Sequence, residues 1–171
     1  MPTESLRARQ APLKTRYRDV PESAVVTLRA KGAIGIAGVT CAVETGSTTI
    51  EAGLHPATGG DGQAACSGDM LLQALVACAG VTLGAVATSL GLPVRGGTVS
   101  AEGDVDFRGT LGVAKDAPVG FRSIRLRFDL AASLGEEQRA TLLRLTERYC
   151  VVYQTLRHAP GMSAVLELTA G

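Results

Sequence analysis

MLLQALVACAGVTLGAVATSLGLPV, residues Met70 to Val94, contains no charged side chain, and the way this run is buried decides the fold. From Met70 to about Leu90 the residues are helix-compatible and apolar around the whole circumference, which predicts a helix covered by other elements on every side. Length and hydropathy alone would also fit a membrane span. Gln73, Thr82, Thr88, Ser89, three glycines and Pro93 interrupt the run, and amphipathic strands flank it. A central helix wrapped by sheet, with no membrane partner, explains these features better. Gly80 and Gly84 form a G-x-x-x-G pair that permits close helix–helix approach, including approach of the same helix from a second copy. Ser67 stands where an N-cap is expected.

The chain reaches this helix through GLHPATGGDGQAACSG (Gly53 to Gly68), a loop full of turn formers. Further upstream, Ala24 to Lys31 and Gly38 to Ala52 are rich in Val, Thr and Ile and broken by glycines, so they are expected to form two or three strands. Downstream, Val99, Ala101, Val105 and Phe107 alternate with polar residues between Thr98 and Arg108. Ile124, Leu126, Phe128 and Leu130 do the same between Arg122 and Leu130. Each stretch predicts one buried and one wet face. A final strand is expected at Ala164 to Thr169. Most connections are too short for crossover helices, so the strands are antiparallel candidates. A second helical region opens with a capping-box pattern, Ser133-x-x-Glu136, and carries Leu142, Leu145 and Tyr149 on one stripe. The run CVVYQTLRH after it is expected to continue as a short helix until Pro160 and Gly161.

Composition bounds the function. The 171 residues make about one domain; apolar residues are 46% of them but aromatics only 4%, without Trp, so the core is built from Ala, Val, Leu and Ile. Seventeen Lys and Arg against sixteen Asp and Glu give no field that would attract a nucleic acid. Arg7, Arg9, Lys14, Arg16 and Arg18 crowd the start, with no apolar stretch after them to make a signal peptide. Residues 1–20 therefore read as a solvated or partly disordered arm, and 21–171 as a single domain. Cys41, Cys66, Cys78 and Cys150 are too widely spaced for a disulfide scaffold and fit reduced thiols in a cytoplasm. His55 and His158 lack ligand spacing, so no metal is expected.

A helical cysteine is ordinarily a small hydrophobe, and Cys41 fits that description. Cys78 differs because a second thiol, Cys150, sits at a helix junction where the backbone can bend to present it. Two-thiol peroxide reduction needs an attacking thiolate that becomes a sulfenic acid and a second cysteine that condenses with it. The attacking sulfur needs a lowered pKa, supplied by a cation or by aligned donors. A hydrolase using Cys78 with His55 is a weaker alternative. Ser67 lacks the glycines of a nucleophile elbow, and Gly59-Gly60-Asp61-Gly62 lacks the Gly-Lys of a phosphate loop.

CSGDMLLQALVACAGVTL (Cys66 to Leu83) and ERYCVVYQTL (Glu147 to Leu156) together resemble the two cysteine motifs of the OsmC/Ohr family. That resemblance implies an α+β fold in which antiparallel sheets wrap around central helices and two chains intertwine as a homodimer, with the sites at the interface. It also implies thiol-dependent reduction of organic hydroperoxides, or of hydrogen peroxide less efficiently, with Cys78 attacking and Cys150 resolving. A small dithiol or other thiol would act as reductant, and no cofactor is needed. The family's carboxylate and arginine pair would correspond to Asp69 and Arg29. Asp69 precedes Cys78 by nine residues, roughly 13 Å along an ideal helix, so within one chain it does not touch that sulfur. CVVY lacks the proline that follows the second cysteine in many peroxidase members. Cys66 is an additional thiol that could compete as resolving partner. A non-catalytic member that binds a small apolar ligand is the main alternative to the peroxidase.

Overall fold

The computed structural model describes residues 3–168. Ten helices and strands follow the order α1 (Thr3–Asp19), β1 (Gly32–Gly35), β2 (Thr40–Thr45), β3 (Thr48–Gly53), β4 (Ala65–Cys66), α2 (Ser67–Leu90), β5 (Val94–Val105), α3 (Phe107–Thr110), β6 (Phe121–Ala132) and α4 (Glu136–Tyr149), and an eleventh, α5 (Val151–Arg157), closes the series. The expected α+β class holds. One sheet runs β1-β2-β3-β4, antiparallel except for the short parallel pairing of β3 with β4, and β5-β6 form a second, antiparallel sheet.

The β5–β6 ribbon follows from the alternation of its sequence. Register sets Val99 opposite Phe128, Ala101 opposite Leu126 and Gly103 opposite Ile124 on the covered face, and Glu102 opposite Arg125 and Asp104 opposite Ser123 on the wet one. Opposite charges across the strands support the pairing: Arg125 pairs with Asp104 and Glu102, while Arg127 pairs along its own strand with Asp129 at 2.7 Å. Gly103 is required for space, because a Cβ there would lie 2.4 Å from the ring of Phe121. The ribbon starts four residues earlier than Thr98 and stops at Val105. Asp106 then caps α3, its carboxylate accepting from the backbone N–H of Arg108 at 3.1 Å, and this turns Phe107 out of the strand.

Helix α2 spans 24 residues. By length and composition it is the one helix among the described residues able to cross a membrane; here it packs on β5, α4 and α5. Its N-cap is Cys66, and Ser67 is already its first helical residue. Its C-terminus ends at Gly91 in the left-handed region (φ 66°), where the N–H groups of Gly91 and Leu92 return to the last carbonyls. Leu83, Val86 and Ala87 join Leu142 of α4 in the core, with Phe128, Leu130 and Leu145 packed around them.

Burial on every side, the expectation for α2, is not met. Leu75, Ala79, Leu83, Val86 and Ala87 mark one buried stripe, whereas Val81 on the other face is 76% exposed. The two outer strands expected from the sequence are also missing. Residues 25–31 and 161–168 belong to neither sheet, with Val25, Val26 and Leu28 exposed in the first and Met162, Val165, Leu166 and Leu168 in solvent in the second. Thr169, the end of the second expected strand, lies outside the described residues. A strand exists only through a ladder partner, and within one chain the ladder reaches these segments only at Lys31, whose carbonyl accepts from the N–H of Glu44 at 3.1 Å. The whole chain exposes 12825 Å², against about 7,900 Å² for a compact monomer of its mass.

At the N-terminus, α1 replaces the loosely structured arm expected for residues 3–19, though it remains largely solvated; Met1 and Pro2 lie outside the described residues. Arg7 ties α1 to the end of α2 by donating to the carbonyl of Ser89 at 2.7 Å. The capping box at Ser133 and Glu136 does not form either. Strand β6 runs on to Ala132, so the helix cap moves to Gly135, whose N–H donates to the side chain of Gln138 at 3.0 Å.

Candidate active site

Cys78 lies halfway along α2, partly buried, while Cys150 is 1% exposed in the elbow between α4 and α5. The elbow is built by a break in one helical run. Cys150 leaves the helical conformation (φ −76°, ψ 109°), ending α4 and capping α5 in a single residue. Its own N–H donates to the carbonyl of Thr146 at 3.0 Å, its carbonyl accepts from the N–H of Gln154 at 2.9 Å, and its sulfur accepts from the N–H of Tyr153 at 3.5 Å. Thr146, buried, bonds back to the Leu142 carbonyl at 2.8 Å, and Gln154 spans the bend by donating to the Glu147 carbonyl at 2.8 Å. These bonds tie both sides of the bend together and hold its geometry.

Because α2 packs against both α4 and α5, the elbow faces Cys78. Burial raises the pKa of Cys78, but hydrogen bonds from the Val152 N–H, the Cys150 thiol, the Val151 N–H and the Thr82 hydroxyl outweigh it, and the net shift is downward. Cys150 moves the other way. Burial pushes its thiol up, and the neighbouring Cys78 sulfur adds to the rise against the pull of the Tyr153 and Val152 N–H groups. Two thiols in hydrogen-bond contact, one easier and one harder to ionise, are what a nucleophile and a neutral partner need.

The other residues expected at the site lie apart from it. Arg29 sits exposed in the unpaired segment 25–31, and Asp69 is exposed in the first turn of α2, beside a hollow of about 420 Å³ formed with Leu72, Gln73, Val76, Ala77 and Ala101. Neither is among the groups acting on Cys78. Cys66 is twelve residues up the same helix, about 18 Å along its axis, so it does not meet Cys78 within the folded chain. His55, weighed as a hydrolase base, is occupied elsewhere: its ring stacks on Phe107 with centroids 4.9 Å apart, and its Nδ1 accepts from the N–H of Ala57. Among the described residues, no three His, Cys, Asp or Glu side chains converge as a metal would require. The donors that sequence reasoning missed are the N–H groups of Val151 and Val152, which carry no residue signature, and Thr82, whose signal was its position four residues after Cys78.

Solved structures share the fold at low identity. An OsmC-like protein from Mycoplasma pneumoniae is 14% identical with a TM-score of 0.66, covering 78% of this chain and 89% of its own. An organic hydroperoxide resistance protein OsmC and predicted redox protein from Legionella pneumophila is 16% identical with a TM-score of 0.61, covering 79% and 92%. The organic hydroperoxide resistance protein OhrB of Bacillus subtilis is 15% identical with a TM-score of 0.57, covering 80% and 94%. No curated protein sequence matches the chain. The family model of OsmC-like proteins matches residues 60–164, more than half of the sequence and the part that holds both Cys78 and Cys150, and the chain belongs to that family.

Proposed function

We propose that the protein is a thiol-dependent peroxidase that reduces organic hydroperoxides through Cys78 and Cys150. The observation that carries this reading is the elbow contact, which lowers the pKa of the Cys78 thiol and raises that of Cys150. The Cys78 thiolate attacks one oxygen of the O–O bond, forming a sulfenic acid; the other oxygen leaves as alkoxide and takes up a proton to become the alcohol. Cys150 then attacks the Cys78 sulfur, a disulfide forms and water leaves. A small dithiol, oxidised to its own disulfide, returns two electrons and two protons. The family and the names of the Legionella and Bacillus relatives support the hydroperoxide as substrate. A cycle that spends dithiols belongs in a reducing compartment, the cytoplasm.

The working form in this reading is a homodimer. Excess surface of about 5,000 Å² over a compact monomer, the open face of α2 and the two unpaired apolar segments all favour a second copy that completes both sheets. Arg29, in one of those segments, and Asp69 would then act from the partner or on the partner's thiol. Mixing the reduced protein with cumene hydroperoxide, counting free thiols and mapping disulfides by mass tests the reading: a Cys78–Cys150 bridge is expected, and unchanged thiols would overturn it. That second outcome would favour a non-catalytic ligand-binding member. An open apolar cleft of about 760 Å³ between β6 and α4, walled by Phe128, Leu130 and Leu142, is the observation behind that alternative.

A further inference from the structure

We infer that the reductant attacks the sulfur of Cys78, not that of Cys150, so that one entrance serves hydroperoxide and thiol alike and Cys150 is the leaving group when the disulfide opens. Thiol–disulfide exchange has two possible targets, and access together with the leaving thiol decides between them. Access separates these two sulfurs. Cys150 is 1% exposed, enclosed by its own chain at the junction of α4 and α5. A hollow of about 480 Å³ edged by Arg148, Tyr149, Gln154 and His158 ends at this residue without exposing it. Cys78 is only partly buried. On α2 it lies between the buried stripe of Leu75, Ala79 and Leu83 and an exposed stripe of Ala74, Ala77, Val81 and Gly84. A second copy laid on that exposed stripe would narrow the approach to Cys78, but it would not open one to Cys150.

The acidities pull the other way. Cys78, with the lowered pKa, is the better leaving group, which favours attack on Cys150. A sulfur that the reductant does not reach is not attacked, whatever it would release. The elbow also eases the loss of Cys150, because the N–H of Tyr153 already donates to its sulfur at 3.5 Å and stands ready for the thiolate. One thiolate of the dithiol forms a bond to the Cys78 sulfur as the Cys78–Cys150 bond breaks, and the electron pair leaves on Cys150, which takes up a proton. The second thiol of the reductant, deprotonated, then attacks the reductant's own sulfur in this mixed disulfide. The reductant closes as a disulfide, oxidised by two electrons, and the Cys78 thiolate is released.

The inference rests on reading Cys78 and Cys150 as a redox pair. Its test makes the bridge in the full chain with diamide rather than peroxide, so that the two can fail separately: a chain that ignores peroxide but forms the bridge still tests it, and a chain that forms no bridge with either oxidant overturns both. Excess mercaptoethanol is added to the oxidised protein, samples are quenched with acid at successive times, free thiols are alkylated with N-ethylmaleimide and the adducts are located by peptide mass spectrometry. Extrapolated to zero time, mercaptoethanol on Cys78 with maleimide on Cys150 should exceed the reverse pattern at least about tenfold. The reverse pattern, or an even division, overturns the inference. In guanidinium, where both sulfurs are exposed, the ratio should fall to within about threefold; a preference that survives unfolding would come from the local sequence and not from burial, and would overturn it as well.

Discussion

Cys78 and Cys150 touch each other, yet they are held in opposite ways. Cys78 projects from the middle of an unbroken helix, so it depends mainly on donors brought by the elbow, the N–H groups of Val152 and Val151 and the Cys150 thiol. Cys150 is itself the break in a helix. Its backbone and its sulfur serve the local bend first, which leaves the thiol deeply buried and harder to ionise. Acidity thus follows from which residue bends the backbone and which one receives the donors that the bend releases.

The largest expected effect that tests this contrast comes from Cys78→Ser, which should abolish peroxide consumption altogether, measured by residual hydroperoxide in the presence of a dithiol. Cys150→Ser should stop turnover with the dithiol but still let one equivalent react, with a sulfenic acid trapped at Cys78 and detected by dimedone labelling. Normal turnover of Cys150→Ser with a monothiol would make the second cysteine dispensable and break the contrast. Next comes pH. A lowered pKa puts the Cys78 thiolate fraction, and hence its alkylation rate, ahead of that of Cys150 as pH rises, so its rate profile should have the lower midpoint of the two; coincident midpoints would refute the assignment. Leu142→Ala, at the base of the elbow helix, should cost about 2–5 kcal/mol in chemical denaturation. The smallest effect is expected from Gln154→Leu, which removes the strut to the Glu147 carbonyl and should raise the Cys78 midpoint slightly while hardly moving that of Cys150.

Much of this contrast can be read in the sequence. The apolar run containing Cys78 forms the long helix, the alternating stretches form the β5–β6 ribbon, and the run after Cys150 forms a short helix, because period and composition are local signals. The pairing of Cys78 with Cys150 came from the family motifs, and the structure brings the two together. What escaped is what belongs to pairs of segments or to the bare backbone. Val151 and Val152 act through N–H groups that any residue but proline would provide. Ala24 to Lys31 and Ala164 to Thr169 carry strand-like sequences, but their described residues form no strand in one chain, and α2 keeps a bare face. The N-terminal arm concealed a helix because its apolar period is weak and Pro12 interrupts it. Ser133 lost the cap because α4 starts only at Glu136, which puts Gly135 at the N-cap and Ser133 two residues before it.

Helix α2 is also a ruler. It begins just after one thiol, Cys66, and carries another, Cys78, at its middle, and while it is intact the two stand about 18 Å apart. An intrachain Cys66–Cys78 disulfide therefore forms only in molecules whose helix has melted between them. Sought by mass spectrometry in ageing or overheated samples, that bond would record past unfolding in a covalent mark, and its abundance relative to the Cys78–Cys150 bridge would separate damaged molecules from working ones.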